Sequence, residues 1–286
     1  MKSSLLILAG GVLWGIIGLF VRYLTPLGFT AMQLVALRSY ITVVGLVLIL
    51  LFTQPQKLKI RFKDFPLFLG TGLLSFVFFN TCYFKTMEYA SLSVAAILLY
   101  TAPFFVMGMS AIFFREKVTK HKLFALMFAF LGCVLVSGAA DRSVQLSPIG
   151  LLWGLGAGFG YALYSVFAKF ALKKYDTLTV ITYTFIVASV GATFLCQPTE
   201  MIHTRSQAPK SVWVLVLYGI TTGAGAYYCY TKGLENTPPA KASVLATVEP
   251  VVAAVCGFLL GETITVSGGA GILMVLCSVL YLQRQT

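Results

Sequence analysis

Cys82-Tyr83-Phe84-Lys85-Thr86-Met87-Glu88 returns 147 residues later as Cys229-Tyr230-Thr231-Lys232-Gly233-Leu234-Glu235. At the same offset Leu98 falls on Leu245 and Pro103 on Pro250. After one residue of slippage, Glu116-Lys117-Val118-Thr119 meets Glu262-Thr263-Ile264-Thr265. Toward the N-terminus, Leu13-Trp14-Gly15 answers Leu152-Trp153-Gly154. Matches that keep their order along the chain mark a duplication, with copies over 1–140 and 147–286.

What each copy contains follows from composition. Hydrophobic side chains make up 58% of the 286 residues and charged ones only 10%, far below the ~25% charged of a soluble domain. Apolar runs of about 20 residues, enough to cross a ~30 Å hydrocarbon core as helix, recur from end to end. They lie near 4–23, 30–52, 65–84, 91–113, 122–139, 148–171, 178–196, 211–231, 240–260 and 266–283. Each copy therefore holds five spans. An odd number forces the second copy to enter the membrane from the opposite side. The expected fold class is all-α: a polytopic membrane protein of ten transmembrane helices built as two inverted five-helix repeats.

The charges agree with inversion. With the N-terminus in the cytoplasm, loops on that side carry Lys57, Lys59, Arg61 and Lys63, then Arg115, Lys117, Lys120 and Lys122, then Lys169, Lys173 and Lys174, with Lys232, Lys241 and Arg284 later. The other side holds Arg22, Lys85, Arg142, Arg205 and Lys210. This asymmetry places both termini in the cytoplasm. It also accounts for the net charge of +12 without a nucleic-acid partner, because the cations cap apolar runs and form no continuous face. The six cysteines lie inside or at the ends of apolar runs without metal-type or paired spacing, and read as small core packers. The apolar stretch 5–23 is too long for a signal peptide and is taken as span one.

The ten spans, the doubled Leu-Trp-Gly, the Glu249-Pro250 step and the Glu-x-x-Thr closures at Glu116 and Glu262 resemble the drug/metabolite transporter superfamily, and within it the EamA-type transporters. The resemblance covers nearly the whole chain. It implies an inverted-repeat carrier of small metabolites, export being part of that expectation, in which the third–fourth and eighth–ninth spans face one another around a central cavity. The first repeat departs from the second in carrying Ala102-Pro103 where the second has Glu249-Pro250.

Several residues stand out as site candidates. Pro103 and Pro250 sit at equivalent depths in spans four and nine and remove a backbone hydrogen bond there, which suits gating bends. Glycine pairs four apart (Gly11 and Gly15, Gly154 and Gly158, Gly156 and Gly160, Gly219 and Gly223) allow close backbone approach or sliding. Glu249 lies near the membrane midplane, where a charge costs several kcal/mol and needs a cavity or a partner. It is expected to hold an ammonium group of the substrate or to take a coupling proton; the alternative is a structural hydrogen bond to backbone freed by Pro250. Arg38, nearer the outer face, is expected to be structural, paired with carbonyls or a carboxylate. Trp14, Tyr83, Tyr100, Trp153, Tyr161, Tyr164, Tyr227, Tyr228 and Tyr230 combine apolar area with a polar tip and are candidate pocket lining for an amphipathic substrate. Asn80 joins them, because an amide left unpaired in lipid is costly. Tyr23 and Trp213 fit an interfacial belt.

Other classes fare worse. The two histidines, His121 and His203, fall in expected loops, no HExxH is present, and Gly108-Met109-Ser110 has no membrane histidine as its base, so an intramembrane enzyme is not indicated. Asp64, Asp141 and Asp176 lie in loops and form no membrane dyad. No P-loop appears, so transport would be secondary, with no cofactor. A passive channel or facilitator is the remaining alternative. The expected partners are a small-molecule substrate, amino acid-like or otherwise amphipathic, the lipid bilayer and a coupling proton.

Overall fold

The computed structural model describes residues 2–138 and 147–284; Asp141 and Arg142 lie outside the described residues. Eight helical runs among these are long and apolar enough to cross a membrane: Lys2–Leu27, Ala31–Thr53, Phe62–Tyr89, Leu92–Phe114, Pro148–Ala171, Ser211–Glu235, Pro239–Leu259 and Val266–Arg284. They are spans one to four, six, and eight to ten. Span five, Lys120–Val136, and span seven, Thr177–Thr193, complete the set with 17 residues each. Hydroxyl and carboxylate side chains start several spans. Thr30 and Gln33 form a capping box on span two, and Ser147 and Asp176 accept from Gly150 and Thr179 N–H on spans six and seven. Such caps satisfy N–H groups that a helix start leaves without a carbonyl. The Glu-x-x-Thr closures have the same cause: Thr119 and Thr265 accept from Lys122 and Gly268 N–H at the starts of spans five and ten.

Inversion is visible in an ion pair. Lys57 follows the end of span two, Asp176 precedes the start of span seven, and they meet at 3.1 Å. Spans two and seven are equivalents, so the two copies run in opposite senses. Contacts exchange accordingly: span one packs on span eight as span six does on span three, while spans five and ten pack on each other.

Two expectations are corrected. Between spans seven and eight lies a polar helix, Pro198–Gln207, at 96° to span seven. Its apolar signal is too weak to stand out, although Pro198 marks its first turn. His203 belongs to this helix and His121 to the first turn of span five, so neither is in a loop.

Among the described residues, span one is interrupted at Ile16, between Lys2–Gly15 and Ile17–Leu24, and four further spans are irregular in two equivalent pairs. Span three runs as π-helix over Gly70–Val77 and span eight over Gly219–Gly225; at the 147-residue offset, 72–77 overlaps 219–224. Span four breaks between Leu92–Leu99 and Ala102–Phe114, and span nine between Pro239–Leu245 and Val248–Leu259. At each break a threonine hydroxyl donates to the carbonyl three residues back: Thr101 to Leu98 and Thr247 to Val244, both at 2.6 Å. The half-helices begin in register at 147, but the first half of span nine is one residue shorter. Pro103 is consequently the second residue of its half-helix and Pro250 the third. The prolines are one residue out of register, and Glu249, not Pro250, falls at the position of Pro103.

Candidate functional site

The two breaks lie near the middle of their spans, and the glycine pairs approach them. A Cβ built on Gly15 would lie 2.8 Å from the Glu249 carbonyl oxygen, and one on Gly11 3.2 Å from that of Ala246. On the other side a Cβ on Gly158 would lie 2.9 Å from the Leu98 carbonyl oxygen. The first span of each repeat thus presses a bare backbone stripe against the broken span of the other repeat. Only glycine permits that approach.

Glu249 is the second residue of the second half of span nine, where a helix start favours negative charge. It is half-buried, and among the described residues no hydrogen bond or ion pair reaches its carboxylate, so the bond to backbone freed by Pro250 is not made. With Tyr100, Pro103, Tyr161, Ser243 and Thr247 it lines a cavity of ≈ 20 Å³, room for about one water molecule. Tyr161 also borders a second cavity of ≈ 10 Å³, lined by Trp14, Ser75, Phe79, Tyr164 and Tyr227 among others.

An aromatic cluster fills the space between. Trp14 lies 5.2 Å from both Tyr227 and Tyr230 and 6.1 Å from Tyr161. Tyr227 meets Tyr164 edge-on at 5.0 Å and Phe185 at 4.9 Å. Tyr83 joins through Phe79, 6.1 Å away, which in turn stands 5.5 Å from Tyr161. Two hydroxyl pairs pin the rings: Tyr164 to Thr231 at 2.6 Å and Tyr230 to Ser165 at 2.7 Å. Tyr83, Tyr100, Tyr161 and Tyr227 are all within electrostatic reach of Glu249.

The structure therefore gathers Trp14, Tyr83, Tyr100, Tyr161, Tyr164, Tyr230 and Glu249 around one centre, with Pro103 and Pro250 beside it. It does not gather the rest. Trp153 is half-buried and shares no ring contact with this cluster among the described residues. Tyr228 is 38% exposed, one residue and ~100° around the helix from Tyr227. Asn80 is buried but donates to the Phe76 carbonyl of its own helix at 2.7 Å. Arg38, expected to pair with carbonyls or a carboxylate, does neither among the described residues. Its Cζ lies 5.0 Å from the Phe76 ring centroid and 5.7 Å from that of Tyr218. Phe76, Phe79, Ser165 and Thr231 were missed; the phase of Tyr227, Tyr230 and Thr231 on one helix face was the available signal.

The ends differ. At the lysine-rich end Glu116 accepts from Lys122 at 2.6 Å and from Ala240 N–H, at the start of span nine, at 3.4 Å. Among the described residues its counterpart Glu262 has no such tie to the start of span four, and it pairs with Arg22 at 2.7 Å in an exposed position.

Ten apolar spans in two antiparallel copies, closed around a central acid and an aromatic cluster, define an inverted-repeat membrane protein with an internal candidate site. A family model described as EamA-like transporter family matches residues 1–138 and 148–283, and the chain belongs to that family of membrane transporters. It is 25% identical to an uncharacterized transporter of Archaeoglobus fulgidus over the whole of both chains. It is also 25% identical to the uncharacterized inner membrane transporter YicL of Salmonella typhimurium, over 98% of this chain and 94% of the other. A solved crystal structure at 17% identity has the same fold, with a TM-score of 0.79 over 99% of this chain and 96% of its own.

Proposed function

We propose that the chain is a secondary transporter that exports a small amphipathic metabolite across the cytoplasmic membrane by alternating access, with both termini in the cytoplasm and its repeats divided at 1–140 and 147–286. The observation that carries this reading is the pair of equivalent helix breaks facing one another across one cavity at mid-span, with the carboxylate of Glu249, unpaired among the described residues, on one of them. Broken helices with exposed termini at the repeat interface are the usual construction of a carrier site. A centre contracted to ≈ 20 Å³ supports a carrier in a closed state over an open pore. The unequal ends support two-state exchange: in the reciprocal state Glu262 would take the N–H groups at the start of span four, and Glu116 would release span nine. Glu249 then takes a coupling proton or the ammonium group of the substrate.

Purified protein in proteoliposomes tests this by counterflow with amino acids, nucleosides and lipophilic cations. Saturable exchange of at least one is expected, whereas flux that rises linearly without exchange would mean a channel. Glu249→Gln is expected to abolish flux or its pH response; normal flux with an unchanged pH response removes Glu249 from the mechanism.

A further inference from the structure

Arg38 is a buried cation that the carrier reading leaves unused. It is the eighth residue of span two, 5% exposed, and a guanidinium keeps its charge at any physiological pH. Nε is enclosed without an acceptor, and no hydrogen bond or ion pair reaches the group among the described residues. Two ring faces return only part of the hydration it has lost.

The fold does not demand a charge at this position. Counted from the N-caps Thr30 and Asp176, Arg38 corresponds to Thr184 in span seven. Thr184 donates to Thr71 at 2.7 Å, and Thr71 corresponds to Tyr218 at the 147-residue offset. This contact between the repeats occurs twice, and one instance is filled by two hydrogen-bonded hydroxyls and the other by a guanidinium over a ring. The guanidinium also borders the site. Phe76 stands between Arg38 and Tyr227, 5.9 Å from the latter, and Tyr227 packs on Trp14. Gly223 of the span-eight π-segment leaves room for Thr42, since a Cβ there would run into its hydroxyl oxygen, and the Arg38 stem passes alongside with its Cγ 3.4 Å from the same point. Glu249 is within electrostatic reach on the far side of the cluster.

We infer that Arg38 docks a carboxylate of the transported molecule, the guanidinium leaving the Phe76 and Tyr218 rings for the cleft when the spans part. The inference rests on the carrier reading. A carboxylate matches a planar two-pronged donor, and its single charge is what one guanidinium can offset while Glu249 opposes from across the site. A phosphate dianion would need further cations.

Counterflow with matched triads tests it: an amino acid, its decarboxylated amine and its deaminated acid, beginning with leucine, isopentylamine and 4-methylpentanoate. In the wild type, carboxylate-bearing members are expected to exchange at least tenfold faster than the amines. Arg38→Lys should keep a reduced rate, and Arg38→Gln should lose carboxylate exchange with its melting temperature within a few degrees of wild type. Amines exchanging as fast as acids in the wild type overturn the inference, and so does undiminished carboxylate exchange by folded Arg38→Gln. If Arg38→Gln does not fold, the wild-type triads decide. Exchange confined to nucleosides, lipophilic cations or glycerol phosphate also overturns it while leaving the carrier intact. Exchange of nothing in any class sinks both.

Discussion

At the scale of single residues, Thr42 shows what an internal hydroxyl does in this protein. It donates at 3.0 Å to the carbonyl of Gly219, the residue that opens the π-segment of span eight, where the usual helical acceptors shift. Thr42→Val keeps the shape and removes the bond. It should cost about 0.6 kcal/mol, and at most about 1.7, by the measure of other interhelical bonds, seen as a lower melting temperature in detergent. An unchanged melt would show that the carbonyl finds another donor. Legibility at this scale was uneven for a related reason. Glu249 announced itself because an acid in an apolar run has few explanations. Tyr227 and Tyr228 could not be separated by hydrophobicity, since lipid and protein interior are both apolar and the inward face of a span carries little pattern. Arg38 was recognised as a buried charge, but its ring partners, Phe76 on span three and Tyr218 on span eight, are distant in the chain.

Among elements, the broken spans matter most, and proline revealed them only in part. The carbonyl of Ala246 lies four residues before Pro250, whose ring nitrogen cannot bond to it. Pro250→Ala restores that donor and should let span nine straighten, slowing exchange several-fold while the protein stays folded. Exchange at the wild-type rate would show that Thr247 sets the bend alone. Gly15→Val should be harsher, because its side chain would enter the space beside the Glu249 carbonyl oxygen and Val252; a loss of at least tenfold in counterflow with monodisperse protein is expected. The π-segments left no sign beyond their glycines and threonines. A π-turn arises where one residue too many fits a helix held at both ends, which is a property of the partners as much as of the segment. The ten spans and the repeat, by contrast, were legible throughout, because span length and charge bias are set locally by the bilayer.

For the whole molecule, antiparallel copies make a labelling prediction. Cysteines placed at Lys57 and Lys173 should react from the same side of a sealed vesicle, and those placed at Arg22 and Glu262 from the other. Lys57 and Lys173 on opposite sides would dismantle the topology. The unequal ends make a second prediction. Glu116→Gln weakens the tie between Lys122 and the start of span nine, worth up to about 1 kcal/mol for a partly exposed pair. It should shift the balance toward the state open at the lysine-rich end by up to about fivefold, read as faster thiol labelling at position 237 and slower labelling at position 265.

Spans five and seven, at 17 residues each, reach only about 26 Å at 1.5 Å per residue, short of a ~30 Å hydrocarbon core. Beside them the acyl chains must draw in, or the flanking lysines and threonines must be pulled toward the oil, and either adjustment carries an elastic cost. The lipid annulus is then part of the working machine: flux measured across vesicles of graded acyl length should peak at chains shorter than those of a thick, sterol-rich membrane and fall as the bilayer swells past these two rungs.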